Sequence, residues 1–63
     1  MKRYKVECKR FRFSGTYTYC YAVVDLYTSL LVKTGFDTGW KAISWAITDG
    51  NISIVDLDTS DVY

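Results

Sequence analysis

The sequence predicts an α+β fold: one domain over residues 1–63, with a single α-helix packed on one face of a small antiparallel sheet of three or four strands, in the order β-β-(β)-α-β. Three observations lead there. Apolar and polar residues alternate through the first half of the chain, and a Thr-capped stretch with apolar residues at helical spacing follows. The chain has 63 residues, which is enough for one core and no more.

In the first element, Tyr4, Val6 and Cys8 alternate with Arg3, Lys5, Glu7 and Lys9, the period of a half-buried strand. Phe11 and Phe13 keep the period but change parity. A one-residue bulge at Lys9-Arg10 would return all five apolar side chains to one face. Ser14-Gly15 reads as a tight turn, and Thr16 to Leu26, rich in Tyr, Val and Thr, as the return strand. With the bulge absorbing one residue, Tyr4, Val6 and Cys8 lie opposite Leu26, Val24 and Ala22, and Phe11, Phe13 and Cys20 join the same core face. Tyr17, Tyr19 and Tyr21 then form an outward ladder, with Arg10, Arg12, Lys5 and Lys9 on or near the same outer face.

Residues 27–34 contain the apolar run Leu30-Leu31-Val32, which is either a third strand or a helical turn, with a strand preferred. Asp37-Thr38 offers an N-cap to a helix of about ten residues. That length is too short to persist without docking, which Trp40, Ile43 and Ile47 would supply, and Gly50 is placed at its C′ position. Trp45 points about 150° away from Trp40. One of the two indoles is thus only partly buried, and Trp45 is the candidate for exposure. Ile52, Ile54, Val55 and Leu57 make a closing strand, and the acidic tail from Asp56 to Tyr63 is loosely held at its end.

Composition excludes much chemistry. There is no His, so Ser-His and Cys-His catalysis and His metal ligation are out. Two Cys cannot complete a four-ligand zinc site or staple a secreted mini-protein. Cys8 and Cys20 fall on one predicted face, close enough for a disulfide to be conceivable, yet two reduced core thiols are the default. Asp56 and Asp58 share a strand face and, with Asp61, form an acidic edge that makes a poor cation site. Asp49-Gly50-Asn51 lacks the spacing of a calcium loop. No metal, cofactor or catalytic constellation is expected. Nor does any segment read as a signal peptide or a membrane span, so the expected compartment is the cytoplasm.

The net charge of +1 is the sum of two unlike halves. Residues 1–12 carry Lys2, Arg3, Lys5, Lys9, Arg10 and Arg12 against Glu7, a net of +5; the remainder carries Lys33 and Lys41 against six Asp, a net of −4. Such asymmetry guides charged partners. The chain is also dense in Trp, Tyr and Arg, the residues that dominate interface energetics. The candidate partner-binding residues are Arg10, Arg12, Tyr17, Tyr19, Tyr21, Trp45, Asp56 and Asp58.

The basic opening Lys2-Arg3-Tyr4-Lys5-Val6, a return strand, the helix Thr38-Gly39-Trp40-Lys41-Ala42-Ile43-Ser44-Trp45-Ala46 and the closing Asn51-Ile52-Ser53-Ile54-Val55 give a layout similar to many very small phage-encoded proteins. These include a coliphage inhibitor of bacterial RNA polymerase and several anti-CRISPR proteins. The resemblance is one of element order. It implies a non-enzymatic protein that blocks host machinery by occupying a surface; the expected partner is a host protein or ribonucleoprotein complex in the host cytoplasm, and the chain is expected as a monomer or homodimer. Two other classes fit the residues: a nucleic-acid binder whose Tyr ladder stacks on bases, and a module that self-associates through a strand edge or the Tyr face. A variant of the inhibitor uses Asp49, Asp56, Asp58 and Asp61 to imitate phosphates.

Overall fold

The computed structural model describes residues 2–62. Its elements are β1 (Tyr4–Phe13), β2 (Thr16–Asp25), β3 (Leu30–Phe36), α1 (Gly39–Ile47), a 3₁₀ turn (Ile54–Asp56) and β4 (Leu57–Asp58). The sheet order is β3-β2-β1-β4, with one helix on one face, and the fold class is α+β. The stretch 27–34 resolves in favour of the strand: β3 starts at Leu30 and runs on through Gly35 to Phe36. β4 pairs parallel to β1, Leu57 opposite Tyr4 and Asp58 opposite Lys5, so the sheet is mixed and not wholly antiparallel.

β1 and β2 pair without interruption from Tyr4↔Asp25 to Phe13↔Thr16. The bulge expected at Lys9-Arg10 is absent. The turn explains the register: Ser14 (φ 51°) and Gly15 (φ 82°) both take positive φ, the two-residue geometry whose twist matches that of paired strands and which needs no compensating residue. Val6 therefore faces Val23, and Cys8 faces Tyr21, one residue away from the expected partners. The change of parity in β1 is a change of face. Val6 and Val23 lie beneath α1, whereas Phe11 and Phe13 share the other face with Ala22 and Val24. Cys8 and Cys20 accordingly lie on opposite faces and both are free thiols, which rules out a disulfide between them.

The irregularities sit in β3. Its register to β2 shifts twice, leaving Val32 and Gly35 as the extra residues, and Gly35 takes φ 94°, a conformation that glycine adopts without steric cost.

Helix α1 starts where the sequence places it. Thr38 Oγ1 accepts from the Lys41 N–H at 3.2 Å, satisfying one of the orphan donors of the first turn. It docks through Ala42, Ile43 and Ala46, with Gly39 also buried, and not through Trp40 and Ile47, which are 59% and 45% exposed. Small residues bring the helix close to Val6 and Val23. Trp45 is the half-buried indole, its ring 5.9 Å from Phe36 with the Lys33 ammonium 5.8 Å away. The left-handed residue after the helix is Asn51 (φ 54°), not Gly50. Gly50 is required for space: a Cβ there would stand 2.9 Å from the Ala46 carbonyl oxygen.

After Ile52, which is buried in the core, the expected closing strand is mostly a 3₁₀ turn with Ile54 and Val55 exposed. Leu57 returns to fill the core at 2% exposure. The tail stays docked as far as Val62, which packs against the core; Tyr63, the end expected to be loose, lies outside the described residues.

One buried charge closes the base of the sheet. Asp25, 8% exposed, receives the Arg3 guanidinium at 3.1 and 3.4 Å and the Tyr27 N–H at 2.9 Å, while Leu26 N–H donates to the Arg3 carbonyl at 2.7 Å. The Arg3 hydrogen bonds hold the Asp25 carboxyl below its ordinary range, against the opposing effect of burial. Arg3 also lies over the rings of Tyr4 and Tyr27, at 5.2 and 5.3 Å.

Leu57→Ala removes the largest fully buried side chain and costs about 2–5 kcal/mol. A core of this size yields roughly 3–5 kcal/mol in total, so the variant is expected to show largely unfolded circular dichroism, whereas Val55→Ala, at an exposed site, leaves it unchanged. Wild-type stability in Leu57→Ala would contradict the packing described. Asp25 is tested by acid. Because its folded pKa is lowered, its contribution is complete above the unfolded carboxylate pKa and is lost as pH falls through the folded value. Asp25→Asn should lower the neutral-pH melting midpoint and flatten its decline on acidification; parallel acid curves for the two proteins would refute the role.

Candidate binding surface

β3 pairs with β2 only from Tyr21 to Asp25, and β4 pairs with β1 only at Tyr4 and Lys5. Past Cys8 and Tyr21 the hairpin therefore continues as a two-stranded ribbon, and the molecule is long for its width, 37 × 22 × 21 Å. A strand advances about 3.3 Å per residue, so the Ser14-Gly15 tip stands well clear of the helix-covered core. No carboxylate occurs from Cys8 to Val24, while Lys9, Arg10 and Arg12 all lie on this ribbon.

The ladder pairs Arg10 with Tyr19 and Arg12 with Tyr17. Directly opposed residues share a face and side chains alternate along a strand. Arg10, Arg12, Tyr17, Tyr19 and Tyr21 thus stand together, and the expected cluster forms. Its orientation differs from expectation: this is the face that carries α1, not the outer face. Tyr21 is packed at the edge of the core, and Tyr17 and Tyr19 continue the same face beyond the helix, 54% and 68% exposed. Lys5 and Lys9 point to the opposite face, where they pair with Asp61 at 3.4 Å and Glu7 at 3.1 Å.

Within the cluster the Arg10 guanidinium lies 4.5 Å from the Tyr17 ring centre, a diagonal contact, and that of Arg12 lies 6.0 Å away. Both cations share one ring. Stacking at an exposed site contributes about 0.5–1 kcal/mol and biases the two long side chains toward the ring without neutralising them, so the surface presents positive charge on an aromatic platform. That bias lowers the rotamer entropy lost on contact.

The other candidates are elsewhere. Trp45 sits against Phe36 at the helix, and the exposed indole is Trp40. Asp56 belongs to the 3₁₀ turn and Asp58 to β4, so the two do not share a strand face, and β4 is at the far end of β1 from the tip. Asp58 accepts from the Ser60 N–H at 3.0 Å, and its carboxyl is held low first by Ser60 and then by Lys5 and Lys2. With Asp61 drawn to Lys5, two of the four carboxylates proposed as phosphate mimics serve local contacts. Among the described residues no cluster of three or more His, Cys, Asp or Glu could hold a metal ion, and no helix is long and apolar enough to cross a membrane.

The sequence reading missed the helix-free face. There Phe11 and Phe13, 6.4 Å apart, lie on the same side as Val24 and Leu31, and an open hollow of about 510 Å³ runs between Phe11, Val24 and Leu31, bordered by Glu7 and Lys9. The signal was the parity change itself, which marks a strand apolar on different faces along its length. No family model, no curated protein and no solved structure matches the chain.

Proposed function

We propose that the chain is a non-enzymatic binding protein that lays the Arg10, Arg12, Tyr17 and Tyr19 face of its ribbon on an acidic surface of a partner protein. The observation that carries this reading is the ribbon's composition and placement: two arginines ordered on an exposed tyrosine, beyond the core, in a stretch without a carboxylate. Tyr and Arg are the residues that most often anchor interfaces, and uncompensated positive charge accelerates encounter with an acidic target. Inhibition of a host nucleic-acid-processing or defence complex, after the manner of the small phage proteins whose layout is similar, is the form of binding that needs only such a surface. Nucleic-acid-binding surfaces are basic, so the Arg/Tyr face takes an acidic patch of such a complex outside its nucleic-acid groove, and blocking by coverage requires no reaction.

A test uses Arg12→Ala combined with Tyr19→Ala. Both side chains are exposed, so the fold and melting midpoint should stay close to wild type. Retention of a host complex identified on wild-type protein should fall at least tenfold; equal retention by the folded double variant defeats the choice of surface.

The same ribbon supports a second reading, because Lys9, Arg10 and Arg12 beside aromatic rings also suit single-stranded nucleic acid. Three phosphate contacts give a log-log salt slope of about −2 on a single strand. A gel shift with a mixed-sequence oligonucleotide at low salt decides: a complex with that slope favours nucleic acid, and no shift at micromolar protein leaves the protein partner.

A further inference from the structure

We propose that the helix-free face of the hairpin is the interface of a homodimer, in which two copies stack sheet to sheet with their helices outside. The face combines Phe13, 61% exposed, and Leu31, 46% exposed, with half-buried Phe11 and the floor residues Ala22 and Val24. α1 covers only the opposite face. The apolar patch stands open beside Thr16, Thr18 and Cys20 of the same face, and a second identical sheet about 10 Å away covers it as in a sandwich.

Charge selects a second copy for this face and excludes it from the others. Lys9 is paired with Glu7 and Lys5 with Asp61, so the charged groups on this side already neutralise one another. Glu7 and Lys9 belong to β1, an outer strand beyond Lys5, so their long side chains reach the rim of a stacked pair, where polar groups belong. On the opposite face Arg10 and Arg12 have no carboxylate nearby in the ribbon and would confront their own copies. Edge pairing fares no better. Joining two β1 edges antiparallel sets Lys9, Arg10 and Arg12 against each other, and the β3 edge is broken by its two register shifts.

The size of the face sets the strength. Strands about 33 Å long and a width of two to three strands at about 4.8 Å spacing give a burial on the order of 1,000 Å² for the two copies together. That is the lower limit for a specific interface, so the dimer should be weak, with a dissociation constant in the micromolar range. A two-fold arrangement closes the contact and leaves both Arg/Tyr surfaces pointing outward. The inference is independent of the proposed function, which uses the other face.

Sedimentation equilibrium of the full chain from low to high micromolar concentration should follow a monomer–dimer equilibrium. Phe13→Asp combined with Leu31→Asp, both at exposed positions, should give a folded monomer throughout, while Arg12→Glu should still dimerise. A wild type that is monomeric at every concentration overturns the proposal, as does a dimer that survives the double aspartate substitution or is lost in Arg12→Glu. Wild-type protein alone gives a second readout: on dilution, amide NMR shifts should move at Phe11, Phe13 and Leu31 and stay fixed at Tyr17 and Tyr19. Movement confined to the tyrosines overturns it equally.

Discussion

The unbroken pairing of β1 with β2 is the constraint on which the rest of this structure depends. Side chains alternate along a strand, so a slip of one residue would exchange every side chain of one strand between the two faces. Both ends of the ladder are fixed. At the tip, Ser14 and Gly15 take the positive φ values of a two-residue turn, and at the base Arg3 and Asp25 join the two strands. With both ends set, Val6 and Val23 must meet beneath the helix, and Phe11 and Phe13 must turn away from it.

The helix is too short to support itself and covers too little to enclose the sheet. Its nine residues dock on Ala42, Ile43 and Ala46, which allow a close approach but bury modest area. Leu57 and Ile52 complete this small core from the segment that follows. Past Tyr21 no element among the described residues covers the ribbon, and Phe13, Tyr17 and Tyr19 are left in solvent. The exposed tyrosines and Phe13 therefore follow from a length mismatch: a hairpin of two ten-residue strands extends beyond a nine-residue helix, since strands rise more than twice as far per residue.

This mismatch also explains what was legible in the sequence. The order of elements, the turn at Ser14-Gly15, the Thr38 cap and the proximity of Arg10 and Arg12 to Tyr17 and Tyr19 are all local, set by period and turn chemistry within a few residues. What failed was global. A single shared core made a bulge at Lys9-Arg10 look necessary, because it gathered five apolar residues on one face, yet here apolar residues serve two faces. Cys8 and Cys20 were misplaced by the same assumption, and so was the outward Tyr ladder. The parallel seat of β4 is two residues long and carries no periodic signal. Which indole is buried depended on whether the helix docks through large or small residues, and Ala42 with Ala46 decided for Trp45. The pairing of Asp25 carries no local signal, since its partner Arg3 lies 22 residues earlier in the chain.

One ribbon thus carries two surfaces that differ less in hydrophobicity than in electrostatics. Both present exposed aromatic rings, but on the Phe side each Lys has a carboxylate within 3.4 Å, and on the Tyr side the arginines rest on a neutral ring. Apolar contact is indifferent to the identity of a partner, while charge is not. The neutralised face tolerates its own copy; the unneutralised face repels it and attracts an acidic surface. Were Glu7 on the other parity it would lie on the face of Arg10 and Arg12, and the distinction between the two faces would weaken. The alternation of Lys5, Glu7 and Lys9 against Arg10 and Arg12 along β1 therefore does more than solvate a strand: it gives the two faces of the ribbon different charge balances, on which both proposed contacts rest.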